Sequence, residues 1–115
     1  MTSIYKILPL ALWQEAQHAG RFDGSAVDLA DGYIHFSTAE QAAETAAKHF
    51  AGQTDLVLLQ VSADALGDAL KWEPSRGGAL FPHLYDRLDV AHVTAAHPLP
   101  LGDDGRHVFP EMLQA

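Results

Sequence analysis

The chain has 115 residues, of which 48% are hydrophobic and 19% charged, and these values indicate one globular domain spanning residues 1–115. It contains no cysteine, which excludes a disulfide framework, a thiolate nucleophile and a zinc site built on sulfur. Its formal net charge of −8 argues against general binding to nucleic acids, because phosphate backbones repel an acidic chain.

The first part of the chain predicts a strand, a helix and a loop. Residues 4–8 form a short apolar run typical of a strand, and Pro9 suits the first position of a helix. Gly20 stands where the C-terminal cap of that helix belongs. Three residues make its apolar face: Leu12, Trp13 and Ala16. Residues 21–32 contain two glycines and three aspartates and predict a loop.

The clearest helix follows a short strand at residues 33–36. Six apolar residues fall at i, i+3, i+4, i+7, i+8 and i+11 and predict one buried stripe: Ala39, Ala42, Ala43, Ala46, Ala47 and Phe50. Because the stripe is mostly alanine, we expect the helix axis to lie close to the element it covers. Gly52 ends the helix.

The second half of the chain predicts mostly strands. Residues 55–61 are apolar with little alternation, as in a central strand covered on both faces. Residues 71–73 and 88–96 are also predicted strands. Residues 62–70 are interpreted as a helical turn and a loop, residues 74–78 as a turn, and residues 106–113 as a closing strand or turn. Residues 81–85 are left unassigned. Most joins are too short for parallel crossovers, so we expect an α+β domain with a mixed or antiparallel sheet and two main helices.

The first candidate site lies where the strand at residues 33–36 meets the following helix. His35, Ser37 and Thr38 place three hydrogen-bonding side chains beside the positive end of a helix dipole, which can receive a phosphate or a ribose hydroxyl. The alternative is structural. Thr38 with Gln41, or Ser37 with a glutamate three positions later, would form a capping box, and His35 would be a satisfied core residue.

The second candidate site is the turn from Glu73 to Gly78. The Arg76 guanidinium can form two parallel hydrogen bonds to a phosphate or carboxylate. The Glu73 carboxylate can accept hydrogen bonds from sugar hydroxyls or stabilise a developing cation. The alternative is an ion pair on the surface.

The third candidate site is the segment 81–85, in which His83 is a candidate general acid or base and Tyr85 part of an aromatic wall. The alternative is a turn that closes the core, with Tyr85 anchored through its hydroxyl. The other histidines do not follow metal-ligand spacing, so we predict no metal site.

Taken together and in order, these segments resemble domain of unknown function 952 over residues 4–100. The resemblance is carried by Ile4-Tyr5-Lys6-Ile7, Asp31-Gly32-Tyr33-Ile34-His35-Phe36-Ser37-Thr38, Leu70-Lys71-Trp72-Glu73, Ser75-Arg76-Gly77-Gly78 and Phe81-Pro82-His83-Leu84-Tyr85. That family has no established activity and is placed by fold similarity near the ADP-ribosyltransferases and RNA 2′-phosphotransferases. The resemblance therefore implies an ADP-ribosyltransferase-like split β-sheet that clasps NAD in a cleft.

We therefore expect a domain that binds a nucleotide-like ligand such as NAD or ADP-ribose, with ADP-ribosyl or phosphoryl transfer as the candidate reaction. The candidate catalytic residues are Glu73, His35 and His83. The candidate ligand-binding residues are Ser37, Thr38, Arg76 and Tyr85. Two alternatives stay open: a non-catalytic module that recognises a small acid or a protein, and a domain in which these residues only lock loops.

The sequence shows no signal-peptide pattern and no apolar run of the roughly 20 residues that a membrane span needs, so we expect a cytoplasmic protein without membrane association. The sequence leaves open whether the protein is an enzyme, which cofactor it uses and its oligomeric state.

Overall fold

Eight strands and three α-helices are found in the part of the chain that the computed structural model describes, residues 2–75 and 78–110. In chain order they are β1 (Ser3–Pro9), α1 (Leu10–Ala19), β2 (Arg21–Phe22), α2 (Ala26–Asp31), β3 (Ile34–His35), α3 (Ala39–His49), β4 (Leu56–Ser62), β5 (Leu70–Ser75), β6 (Ala79–Leu84), β7 (Leu88–Asp89) and β8 (Val93–Pro98). Short 3-10 segments span Ala63–Ala69 and Val90–His92.

The strands form two three-stranded sheets and one small ribbon. The first sheet has the order β1-β4-β8, the second β3-β6-β5, and β2 pairs with β7. Every strand pair in the described residues is antiparallel. The two larger sheets meet at one bridge, where the Tyr5 N–H donates to the Ser37 carbonyl (2.7 Å) and the Ser37 N–H donates to the Tyr5 carbonyl (2.8 Å).

Strand β4 divides the core into two clusters, as its apolar sequence predicts. Val57, Leu59 and Val61 face the cluster that contains Trp13 of α1. Leu56 and Leu58 face the opposite cluster, which contains Ala46 of α3. The prediction of a central strand covered on both faces is therefore confirmed. The strand at β1 and the glycine cap of α1 are also confirmed, since Gly20 adopts a left-handed conformation with φ of 84°.

Helix α3 is confirmed, but the predicted stripe is only half right. Ala42 and Ala46 are buried, whereas Ala43 and Ala47 are exposed. The prediction that Ala43 and Ala47 are buried is therefore wrong. A run of small residues this wide fits two neighbouring faces of a helix, so the pattern alone cannot choose between them.

Hydrogen bonds of polar side chains determine which face of α3 is buried. Gln41 Nε2 donates to the Leu80 carbonyl of β6 (2.7 Å), and Thr45 Oγ1 is hydrogen-bonded to Ser37 Oγ (2.8 Å). Gln41 and Thr45 are four residues apart and lie next to the buried alanines in sequence, so these bonds turn the helix toward the Ala42 side. The buried stripe is therefore part alanine and part hydrogen-bonded polar residues.

Other sequence predictions are corrected. The predicted strand at residues 88–96 is two strands, β7 and β8, separated by the 3-10 segment Val90–His92. Residues 21–32 are not a loop but contain β2 and α2, so the domain has three α-helices rather than two. The missed signal is a capping box, in which Ser25 and Asp28 satisfy each other's backbone N–H groups. The untyped segment 81–85 belongs largely to β6, whose buried end pairs with both β3 and β5.

The described residues form a single α+β domain. Its radius of gyration of 13.3 Å is close to the roughly 13 Å expected for a compact domain of this length. Within the described ranges, no helix has both the length and the apolar character that crossing a membrane requires. The predicted closing segment is seen as a bridge between Leu101 and His107, and its residues 111–113 lie outside the described part.

The orientation of α3 predicts that two neighbouring substitutions have very different effects on stability. Ala46→Glu buries an unpaired carboxylate against the first sheet and should lower the free energy of unfolding by at least about 3 kcal/mol. Ala47→Glu, on the exposed side, should change it by less than about 0.5 kcal/mol. Urea denaturation of both variants measures the difference. Equal losses would contradict the described face of α3.

Candidate functional site

A cleft of about 700 Å³ runs along β1 and is lined by residues of both larger sheets. This volume is within the range of ligand pockets, roughly 300–1,000 Å³. Apolar side chains such as Ile7, Leu8 and Phe81 make much of its wall. The polar side chains that line it include Lys6, Asp31, Tyr33, His35, Ser37 and His83.

A buried carboxylate, Asp28, fixes the wall of the cleft formed by α2. Its oxygens accept from the Ser25 N–H (2.9 Å), from Lys6 Nζ (2.9 and 3.1 Å) and from the backbone N–H of His35 (3.1 Å). Asp28 is 2% exposed and Lys6 is 6% exposed. One side chain thus connects β1, α2 and β3.

The Asp28 environment strongly perturbs two ionisable groups. Burial acts to raise the pKa of the Asp28 carboxyl, but the hydrogen bond from His35, the charge of Lys6 and the Ser25 N–H together outweigh burial and hold the pKa well below its usual range. Burial lowers the pKa of the Lys6 ammonium, and the Asp28 carboxylate only partly opposes this effect.

The His35 ring lies between two carboxylates. Its Nδ1 is 2.6 Å from Asp28 Oδ1, and its Nε2 is 2.9 Å from Asp31 Oδ2. An ionised carboxylate only accepts hydrogen bonds, so this geometry suits a ring that carries a proton on each nitrogen. The His35 side chain is 31% exposed, and a molecule in the cleft can reach it.

Strand register brings two Tyr/His pairs together, and we name Tyr33, His35, His83 and Tyr85 the Tyr–His block. His35 and His83 are direct partners in the β3–β6 ladder, so their side chains share a face. The ring of Tyr33 stacks on His83 with centroids 4.1 Å apart, and lies 4.6 Å from His35 and 5.2 Å from Tyr85. The block is a continuous aromatic surface with two imidazoles.

Glu73 of β5 joins the Tyr–His block through two hydrogen bonds. Its Oε1 accepts from the Tyr85 hydroxyl (2.7 Å) and lies 2.9 Å from His83 Nδ1. The bond from Tyr85, and after it the bond from His83, lowers the pKa of Glu73. The same bond raises the pKa of Tyr85 to about 12. Burial, followed by the charges of Asp31 and Glu73, raises the pKa of Tyr33.

These contacts define what the site can do chemically. Each histidine has a carboxylate on its Nδ1, Asp28 for His35 and Glu73 for His83, which holds the ring in one orientation. An imidazole oriented in this way can donate or accept a proton or hydrogen-bond a ligand oxygen. In the described ranges, no group of three or more histidine, aspartate or glutamate residues has the geometry of a metal site.

The structure brings four of the sequence-predicted site residues together: His35, Glu73, His83 and Tyr85. Ser37 lines the same cleft, but its hydroxyl is bonded to Thr45. Thr38 caps α3, since its side chain accepts from the Gln41 N–H (3.3 Å), and its role toward a ligand stays a prediction. Arg76 lies outside the described residues, and its role stays a prediction.

Sequence reasoning missed Lys6, Asp28, Asp31 and Tyr33. Two signals were available for part of this set. Tyr33 stands two positions before His35 in a strand and therefore points to the same face. Lys6 interrupts an apolar strand, and a lysine buried there needs an acidic partner. No local pattern identifies Asp28 as that partner, because it lies 22 positions away.

The Lys6–Asp28 pair predicts an unequal effect of single and double substitution. Asp28→Asn leaves the buried Lys6 ammonium without a counter-charge and should lower the free energy of unfolding by about 3–5 kcal/mol. The double variant Lys6→Met/Asp28→Asn removes both charges and should be more stable than Asp28→Asn. Urea denaturation at neutral pH measures both values. A double variant that is less stable than Asp28→Asn would show that the pair does not act through charge compensation.

The Tyr85–Glu73 hydrogen bond predicts a shifted titration. The Tyr85 phenol should ionise near pH 12, because loss of its proton breaks the bond and places two negative charges together. Glu73→Gln should return the pKa of Tyr85 toward about 10. NMR of the tyrosine ring carbons follows this titration, with Glu15→Gln, on the exposed side of α1, as the control. An unchanged Tyr85 titration in Glu73→Gln would contradict the assigned bond.

Comparison with known proteins gives a family and solved structures of a related protein. The family model described as "Protein of unknown function (DUF952)" matches residues 7–96. The crystal structure of protein CC0527 from Caulobacter crescentus is 58% identical, with a TM-score of 0.94 over 99% of this chain and 100% of that chain. The solution NMR structure of CC0527 gives 62% identity and a TM-score of 0.84 over 92% of this chain and 91% of that chain. No curated protein matches the chain. The family model covers most of the chain, which therefore belongs to the DUF952 family.

Proposed function

We propose that the cleft binds a compact nucleotide-like ligand, with NAD and ADP-ribose as the candidates, at the Tyr–His block and Glu73. The observation that carries the proposal is a convergence of side chains on one aromatic surface beside a cleft of about 700 Å³. His35, Glu73 and His83 come from three strands, and Tyr85 directly follows β6. Apolar hollows with a few converging polar groups are the usual form of a small-molecule site.

The chemistry of the block matches the parts of such a ligand. The ring of Tyr33, which stacks on the buried ring of His83, offers a platform to a planar base. The carboxylates of Asp31 and Glu73 can accept hydrogen bonds from ribose hydroxyls or face a positively charged ring. In the proposal, Arg76 holds a phosphate, as its place in the sequence predicts.

The arrangement of the sheets also supports the proposal. A backbone bridge between Tyr5 and Ser37 links the two antiparallel three-stranded sheets, and both of these residues line the cleft. We propose on this basis that the domain has the ADP-ribosyltransferase-like split sheet that its sequence resemblance implies. In such a site Glu73 would steady the oxocarbenium-like carbon that forms when a glycosidic bond to ribose breaks, and His35 and His83 would transfer protons.

A thermal-shift experiment tests the binding proposal. NAD or ADP-ribose at millimolar concentration should raise the melting temperature, because a few local contacts on an acidic chain support micromolar to millimolar affinity. An RNA oligomer at moderate salt should not. Glu73→Gln keeps the shape of the side chain and removes its charge, so it should reduce the shift. Glu15→Gln removes one exposed carboxylate from α1 and should leave the shift unchanged.

Each outcome of this experiment has a stated meaning. Absence of a shift in the wild-type protein would exclude the nucleotide proposal and favour a module that recognises a small acid or a protein. A shift that survives Glu73→Gln would place the ligand elsewhere. If NAD binds, release of free nicotinamide measured over time decides whether the site also catalyses transfer.

A further inference from the structure

The two carboxylates that hold His35 are not equivalent. Asp28 is 2% exposed and its oxygens also receive donors from Ser25 and Lys6, so it is part of the protein frame. The Asp31 side chain is 45% exposed and stands at the last residue of α2. The hydrogen bond that Asp31 accepts from His35 Nε2 is therefore open to replacement, whereas the bond that Asp28 accepts from Nδ1 is fixed.

We propose that His35 Nε2 is an anion-binding position of the cleft, and that Asp31 occupies it until a carboxylate or phosphate group of a ligand takes its place. The inference rests on the proposed use of the cleft as a ligand site but does not require the ligand to be a nucleotide. The Asp31 carboxylate shows the chemistry that this position accepts, which is an anionic oxygen 2.9 Å from the ring nitrogen.

The charges around His35 favour an anion once Asp31 has moved. Lys6 and Asp28 are both buried and compensate each other. A His35 ring that donates from both nitrogens contributes one positive charge at the cleft surface. The other rings beside His35 are those of Tyr33, just before β3, and of His83 in β6, whose Nδ1 is paired with the Glu73 carboxylate. A charge-assisted bond from Nε2 to an incoming anion is therefore the favoured replacement.

Competition from Asp31 weakens binding of the anion. The Asp31 carboxylate is held beside His35 Nε2 by the chain, so it competes with an anion for this donor at a high effective concentration. Its negative charge also repels an approaching anion. Removal of Asp31 should therefore tighten anion binding, although it removes a contact from the protein. If Asp31 had only a structural role, its removal would lower the stability of the protein and leave anion binding unchanged.

Titration with inorganic phosphate and, separately, with acetate tests the inference in the full chain. NMR of the ¹⁵N-labelled histidine rings should show the Nε2 resonance of His35 responding to at least one of these anions. Asp31→Ala should bind that anion about fivefold more tightly than the wild type, the size of one exposed ion pair. Asp64→Ala, an equal loss of charge in the 3-10 segment after β4, should leave the affinity unchanged.

The inference is overturned if neither anion perturbs Nε2 of His35 in the wild-type protein or in Asp31→Ala, or if Asp31→Ala and Asp64→Ala bind equally. The phosphate arm and the acetate arm show which anion the position prefers. Failure of this inference is separable from failure of the proposed function. Anion binding without any effect of NAD or ADP-ribose would exclude only the nucleotide, and NAD binding without an effect of Asp31→Ala would exclude only the role of Asp31.

Discussion

The buried carboxylate of Asp28 is the interaction on which the rest of the site depends. It binds Lys6 of β1, the first turn of α2 and both the backbone and the ring of His35 in β3. A lone buried charge is strongly unfavourable, so Lys6 and Asp28 each require the other. This requirement holds α2 against the two sheets. It also fixes the cleft wall and the direction of the His35 ring.

The second constraint is the pairing of short strands around the cleft. Strand β3 has two residues, yet its register with β6 sets His35 opposite His83, and the alternation of side chains adds Tyr33 and Tyr85 to the same face. Glu73 reaches this face from β5. The chain thus gathers an aromatic surface, two imidazoles and a carboxylate on three strands and the residues that flank them. Ladder hydrogen bonds hold the strand residues, and the backbone N–H groups of Tyr33 and Tyr85 donate to the Asp28 and Ala69 carbonyls, which favours a preformed site.

The net charge of −8 and the local chemistry of the cleft have different consequences. The overall charge opposes polyanions, whereas a small ligand meets only the groups that line the cleft. Among the hydroxyls near α3, Thr38 is used by the helix cap and Ser37 is bonded to Thr45. In the proposed function, recognition therefore falls to the histidines and to the carboxylates beside them. CC0527 shares the fold at 58% identity, so the same reasoning can be tested on that protein.

The sequence by itself determined the elements whose signals are local. The apolar runs of β1 and β4, the helical period of α3, the Gly20 cap and the capping box at Thr38 each lie within a few neighbouring residues. The sequence also selected His35, Glu73, His83 and Tyr85 as chemically unusual. Only the tertiary structure decided which face of α3 is buried, that Asp28 is the partner of Lys6, and that Tyr33 connects the selected residues. Those outcomes depend on contacts between residues far apart in the chain, and periodicity carries no information about such partners.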